Sequence, residues 1–211
     1  MTIIIDHHHS LVKSFLTQSL PSLSRWVHYL RKTQSSSLPH AYRWHGRTDT
    51  HCLASGIDDY PRHRLNTPQE GHVDLMAWIV FSLQTLAEIQ MKVDPTSSYT
   101  QSLLDEAEHM RTQLLENYWD PHSHFFSDRG MVYKTPDQQK QNGNHKNDDG
   151  GNTDGEKNGE KNGEMEVGFE CHIGYVTLLP FALQLMDVED PRVGDVLDAI
   201  EDPERVGFEG I

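Results

Sequence analysis

The 211-residue sequence is poor in most features that announce a function. It has two cysteines, Cys52 and Cys171, too few to define a disulfide scaffold. No run approaches the ~20 apolar residues that a bilayer crossing requires. Met1 to Ser10 has neither the cationic start nor the apolar core of a secretory signal. Positive charge is scarce: 18 Lys and Arg stand against 32 Asp and Glu, a formal net charge of −14. That balance argues against a nucleic-acid partner, because phosphate contacts need clustered cations. Asn-x-Ser/Thr acceptors are absent as well. Hydrophobic residues reach only 36% and the mean hydropathy is −0.65, both low for a compact globule.

One segment accounts for much of that polarity. Residues 137–166 are almost entirely Gln, Asn, Gly, Lys, Asp and Glu, with eight acidic and four basic side chains. Nothing there can bury enough apolar surface to offset chain entropy, so it reads as a disordered acidic insertion. The remainder reads as all-α, a domain over 10–211 preceded by a tail at 1–9. Leu11, Phe15 and Leu16 share a helical face up to Pro21, which is expected to end that helix and open the next. Leu23, Trp26, Val27 and Leu30 then recur at i, i+3, i+4, i+7 as far as Thr33. Asp74–Gln90 starts apolar nearly all round (Leu75 to Phe81), as a helix buried on several sides does. Tyr99, Leu103, Ala107, Met110, Leu114 and Tyr118 form another stripe, and 171–186 and 192–201 two more. Period-2 alternation is rare. Phe125–Ser127 with Met131–Tyr133 is the short hairpin it predicts.

The irregular run from Gln34 to Glu70 interrupts this plan, and ordered loops longer than ~12–15 residues usually bind or catalyse. It holds Ala-Tyr-Arg-Trp-His-Gly-Arg at 41–47 and Leu-Ala-Ser-Gly-Ile-Asp-Asp-Tyr-Pro-Arg at 53–62. Aromatic faces stack on pyranose C–H surfaces while Asp and Arg hydrogen-bond hydroxyls, so a sugar site is one reading and a structural Arg–Asp network the other. Asp58 and Asp59 are adjacent, and their side chains diverge. Inverting glycoside hydrolysis needs two carboxyl groups ~6.5–9.5 Å apart, so these two do not form the pair. Glu70 and Asp74 are four apart and share a face if both are helical. As acidic groups at a helix start they also complement its dipole.

Four blocks in order carry a resemblance: Tyr-Arg-Trp-His-Gly-Arg (42–47), Leu-Ala-Ser-Gly-Ile-Asp-Asp-Tyr-Pro-Arg (53–62), Glu-Gly-His-Val-Asp-Leu-Met-Ala-Trp (70–78) and His-Ile-Gly-Tyr-Val-Thr-Leu-Leu-Pro-Phe (172–181). Together they resemble the processing alpha-glucosidase I family, glycoside hydrolase family 63, across roughly residues 10 to 205. The resemblance implies a partial (α/α)6 barrel, a helical toroid, and an inverting enzyme of the endoplasmic reticulum. Its partner would be the glucosylated N-glycan oligosaccharide, from which it trims the terminal alpha-1,2-linked glucose. No cofactor is implied. Asp58 takes the place of the general acid, and Glu70 and Asp74 that of an activity-linked pair. Tyr42, Arg43, Trp44, Arg47, Asp59, Tyr60, Arg62 and Trp78 match residues that line or brace the sugar pocket.

Departures from the family pattern matter too. Gly71 stands where a larger, often basic residue is usual, and His45 where an arginine is. After Asp202-Pro203 the sequence leaves the family's continuation and ends at Ile211. The aromatic-flanked Glu motif of the general base has no counterpart; Glu170 and Glu209 follow Gly-Phe in a different context. A truncated, inactive or weakly active enzyme is therefore expected, with apolar faces such as Leu75–Phe81 laid open and no membrane anchor. A catalytically silent carbohydrate-binding or interaction fragment is the alternative. His7–His9, His122 and His124 lack ligand spacing for a metal, and Asp148–Asp154 lacks the closing Glu of a calcium loop. Cys52 and Cys171 read as buried small side chains, with a disulfide between them open in an oxidising lumen.

Overall fold

The long apolar stretch after Asp74 becomes the centre of the molecule. The computed structural model describes residues 2–62, 65–134, 164–170 and 172–202, the first eight as backbone only. Helix α1 spans Thr2–Thr33, α2 Val73–Val93 and α3 Ser98–Asn117. Helix α2 lies between the other two and also meets α4, Tyr175–Ala182. Packing on several sides is what an all-round apolar helix requires. Accordingly Leu75, Met76, Ala77, Ile79 and Val80 are fully buried, and Trp78 and Phe81 keep 39% exposure each. The expectation of an open apolar face over Leu75–Phe81 thus fails for five of its seven residues, because α1, α3 and α4 cover them. A four-residue turn joins α2 to α3, and the Ser97 side chain accepts the Tyr99 N–H at 3.2 Å to cap α3. Leu103, Ala107, Met110 and Leu114 form its buried stripe.

Helix α1 corrects the reading around Pro21. It does not stop there, and it already includes residues 2–9, read as a tail. Proline removes one backbone donor and crowds the preceding turn. Leu20 and Val27, on opposite sides of Pro21, are both buried in the core shared with α2. Core contact thus begins at Leu20 and runs on past Pro21, whereas the expected apolar face before it stays open, with Leu11 and Phe15 58% and 68% exposed.

The strands also pair differently from the expected hairpin. Trp119–Asp120 (β1) pairs with Phe125–Phe126 (β2), and Asp128–Tyr133 (β3) with Met165–Glu170 (β4), both antiparallel. The partner of 131–133 thus lies beyond the acidic insertion, which loses its last two residues to β4. Local alternation could not reveal so distant a partner. The disorder expected for 137–163, and Cys171 with any disulfide, fall outside the described residues. Trp119 packs edge-on against Phe126 at 5.0 Å. The helical pattern at 171–186 shrinks to α4, and α5 spans Pro191–Glu201, started by Asp190, whose side chain accepts the Arg192 N–H. Among the described residues no helix is long and apolar enough to cross a membrane.

Replacing Pro21, which is solvent-exposed within α1, by alanine restores the missing donor. Urea unfolding of P21A is expected to show a gain of about 1–3 kcal/mol; a loss would mean that proline shapes α1 against α2.

Candidate active site

Three extended pieces of chain lie side by side at the head of α2. The His72 N–H donates to the Tyr42 carbonyl at 2.8 Å, while Gly71 and Arg129 exchange two main-chain bonds of 2.9 and 2.8 Å. The long loop, the 70–72 approach to α2 and β3 are thereby stitched together, and their side chains converge. Gly71 is required here: a Cβ would lie 2.6 Å from the hydroxyl of Tyr118, itself fully buried. This gives a steric reason for the glycine that reads as a departure in the sequence.

Glu70 is fully buried and saturated. Its Oε2 accepts from Arg47 Nε at 2.8 Å and faces His72 Nε2 at 3.1 Å. Its Oε1 accepts from Arg47 Nη2 and from the Thr67 N–H at 3.0 Å. Four donors occupy about all the lone-pair sites a carboxylate offers. Burial alone would raise its pKa, but the Arg47 and His72 contacts outweigh it and hold Glu70 at about 2. Asp74, equally buried, is clamped by Arg62: Nη1 donates to Oδ1 at 2.9 Å and Nη2 to Oδ2 at 2.6 Å. Its Oδ2 also accepts the Trp44 indole N–H at 3.0 Å. Glu70 precedes the helix rather than lying on it, so the two acids do not share a helical face. Each holds its own arginine.

Asp128 is the group that the sequence alone did not single out. Its Oδ2 accepts from Arg62 Nη1 at 3.1 Å and its Oδ1 accepts the Val73 N–H at 2.8 Å. It therefore satisfies a donor at the start of α2, whose N-cap His72 makes no side-chain cap. Asp74 does lie in the first turn of α2, but the hydrogen bond to the Val73 N–H comes from a residue on β3. Burial would lower the Arg62 pKa, but Asp128 and Asp74 raise it well above the ordinary arginine value. His72 was inside a recognised block yet unassigned; period-2 spacing from Glu70 in extended chain puts both on one side, a signal available in advance.

Arg47, Asp59, Tyr60 and Arg62 line a cavity of about 270 Å³ with Thr48–His51 and Pro61. This falls just below the ~300–1,000 Å³ of drug-sized ligand sites, a size for a single ring. Its two arginines are the ones held by Glu70 and Asp74. The Arg62 guanidinium also lies 5.3 Å from the Tyr60 ring centre. Tyr60 donates its hydroxyl to the His172 carbonyl, and a Cβ on Gly174 would sit 2.7 Å from its ring. The second and fourth sequence blocks meet at that contact.

The remaining candidates lie around this centre. Asp58 is exposed, on a turn closed by the Cys52 N–H to Asp58 carbonyl bond of 2.9 Å and by Gly56 at φ +73°; among the described residues its carboxyl has no partner. The Asp59 side chain is 88% exposed, 3.4 Å from His51 Nε2. Tyr42 turns away from the cavity: its hydroxyl accepts from Arg31 Nε at 3.2 Å, beside a separate cleft between α1 and α3. Arg43 donates to the Thr67 carbonyl. Trp78 packs its ring against Phe81 at 6.2 Å, and no described contact joins it to the arginines. Cys52 is a buried free thiol whose pKa burial raises.

Two outcomes follow from these contacts. Because Glu70 is held below its ordinary 4.5, the unfolded chain takes up its proton first on acidification. Its stabilisation, on the order of 3 kcal/mol, is full above about pH 4.5 and is lost as pH falls towards 2. Urea unfolding at pH 5 and pH 2.5 should therefore show E70Q less stable at the higher pH and with a flatter pH dependence. G71A should cost about 1–3 kcal/mol in the same assay, the usual price of overpacking.

A family model describing the C-terminal domain of glycosyl hydrolase family 63 matches residues 1–208. The chain is similar to a probable mannosyl-oligosaccharide glucosidase of Schizosaccharomyces pombe, 30% identical over 198 residues that cover 89% of this chain and 21% of the relative. A mannosyl-oligosaccharide glucosidase of Saccharomyces cerevisiae is 26% identical over 227 residues, 98% of this chain and 23% of the relative. One of Arabidopsis thaliana is 26% identical over 210 residues, 90% and 23% respectively. The chain thus spans between a fifth and a quarter of the length of these relatives. Since the family match takes in nearly every residue, the chain belongs to glycosyl hydrolase family 63.

Proposed function

We propose that this chain carries the proton-donor half of an inverting glycoside hydrolase centre within an (α/α)6 catalytic domain. Its substrate is the glucosylated N-glycan precursor, and its reaction the removal of the terminal alpha-1,2-linked glucose in the endoplasmic reticulum. The observation that carries this reading is the cavity that Arg47, Asp59, Tyr60 and Arg62 line, built from two of the family-like blocks. Asp58, exposed next to the rim residue Asp59, is the proton donor. A sugar lying over a carboxyl excludes water, and desolvation favours the neutral form that donates.

Glu70 and Asp74 act on the reaction through the arginines rather than as acid or base. A buried carboxylate whose lone pairs are taken cannot relay a proton from water. No described carboxylate is assigned the second, water-activating role, and general acid–base groups each contribute typically 10²–10⁴-fold. We therefore expect slow turnover by this chain alone. A silent carbohydrate-binding module is the alternative; the largely exposed Asp59 and Asp58, whose carboxyl has no partner among the described residues, are compatible with it.

The test pairs binding with cleavage. Titration calorimetry with 1-deoxynojirimycin should show saturable binding, and triglucosylated glycan should lose glucose slowly. D58N should reduce that cleavage by about 10²–10⁴-fold. Binding without any cleavage would select the silent module, and undiminished cleavage by D58N would remove Asp58 from the chemistry.

A further inference from the structure

We infer that His72 is the positioning residue of this site: one imidazole sets the main chain of Trp44 and the Glu70–Arg47 pair in register. The inference deepens the glycosidase reading above and rests on it. Three observations carry it. First, the side chain of His72 is fully buried, so it cannot touch a sugar and acts only through its neighbours. Second, its two ring nitrogens meet opposite partners. Nδ1 accepts the Trp44 main-chain N–H at 2.9 Å, and Nε2 faces Glu70 Oε2 at 3.1 Å. A main-chain N–H can only donate and an arginine-paired carboxylate accepts, so the geometry calls for the ring with its single proton on Nε2.

Third, what His72 holds reaches the cavity by two routes. Through Glu70 it fixes Arg47, on the cavity wall. Through Trp44 it fixes a residue whose indole N–H shares Asp74 with Arg62, the other cavity arginine. The His72 N–H, bound to the Tyr42 carbonyl at 2.8 Å, closes the clasp from the other side. Segment 42–44 is thus gripped at successive points by one residue at the head of α2. A ring with the wrong tautomer would set N–H against N–H and release the loop that carries Arg47.

Two near-isosteric variants separate the two arms. In H72N the amide oxygen falls near Nδ1 and can still accept from Trp44, while the donor to Glu70 is gone. In H72Q the amide N–H₂ falls near Nε2 and keeps Glu70, while Trp44 loses its acceptor. Both should bind 1-deoxynojirimycin about tenfold more weakly, the cost of one buried hydrogen bond. The Trp44 amide should exchange its hydrogen at least about tenfold faster in H72Q, and at the original rate in H72N. Unchanged affinity in both variants, or a Trp44 amide still protected in H72Q, would overturn the inference. Nitrogen NMR of the unsubstituted chain gives a test that needs no variant: Nδ1 must be the unprotonated nitrogen, and a proton there sinks the proposal. Failure of the unsubstituted chain to bind the iminosugar would count against the glycosidase reading, whereas the Trp44 exchange rates judge His72 independently.

Discussion

Two buried arginine–carboxylate clusters organise the rest of this molecule. Arg47 with Glu70, and Arg62 with Asp74 and Asp128, are nearly removed from solvent. A charge taken out of water is tolerated only when it is paired and fully hydrogen-bonded, and removing one partner typically costs ~3–5 kcal/mol. The pairing therefore fixes where the long loop, α2 and β3 must sit relative to one another. Arg47 and Arg62 come from the loop, Glu70 and Asp74 from the head of α2, and Asp128 from the hairpin. Any arrangement that separates these elements leaves a charge stranded. The same ionic clamps hold the wall of the cavity that Arg47 and Arg62 line, so the pairs that stabilise the fold also set the shape of the cavity.

The helices were legible because their signals are local. The stripes in α2 and α3 lie at helical spacing, and their ends agree with the observed elements within a few residues. The Pro21 reading failed because a single-residue rule was set against core contacts at Leu20 and Val27, one on each side of the proline. Strand pairing was misread for the opposite reason: Asp128–Tyr133 finds its partner at Met165–Glu170, beyond a stretch with no apolar pattern to follow.

At the site, residue types were legible but their relations were not. Spacing brought Glu70 and Asp74 forward as a pair, whereas the extended backbone before α2 sends them to different arginines. Asp128 stands far along the chain from Arg62 and Val73, and no periodicity connects them. Tyr42 belongs to a block rich in site residues, yet its hydroxyl meets Arg31 on the far side of the loop. Gly71 looked like a departure from a family pattern; the nearness of the Tyr118 hydroxyl gives it a steric reason.

The hairpin that supplies Asp128 has one more property. Its two strands part at Lys134 and Glu164, which are joined by a main-chain bond of 2.9 Å and an ion pair of 3.0 Å. Whatever chain runs between them leaves and returns through a single doorway, at the end of the ribbon remote from Arg62. Loop-closure entropy grows only with the logarithm of length, so the doorway tolerates segments of very different size with little strain on the ribbon. Evolution can rewrite that stretch, and an engineer can splice a reporter or an affinity handle into it, while the arginine clamps stay as they are.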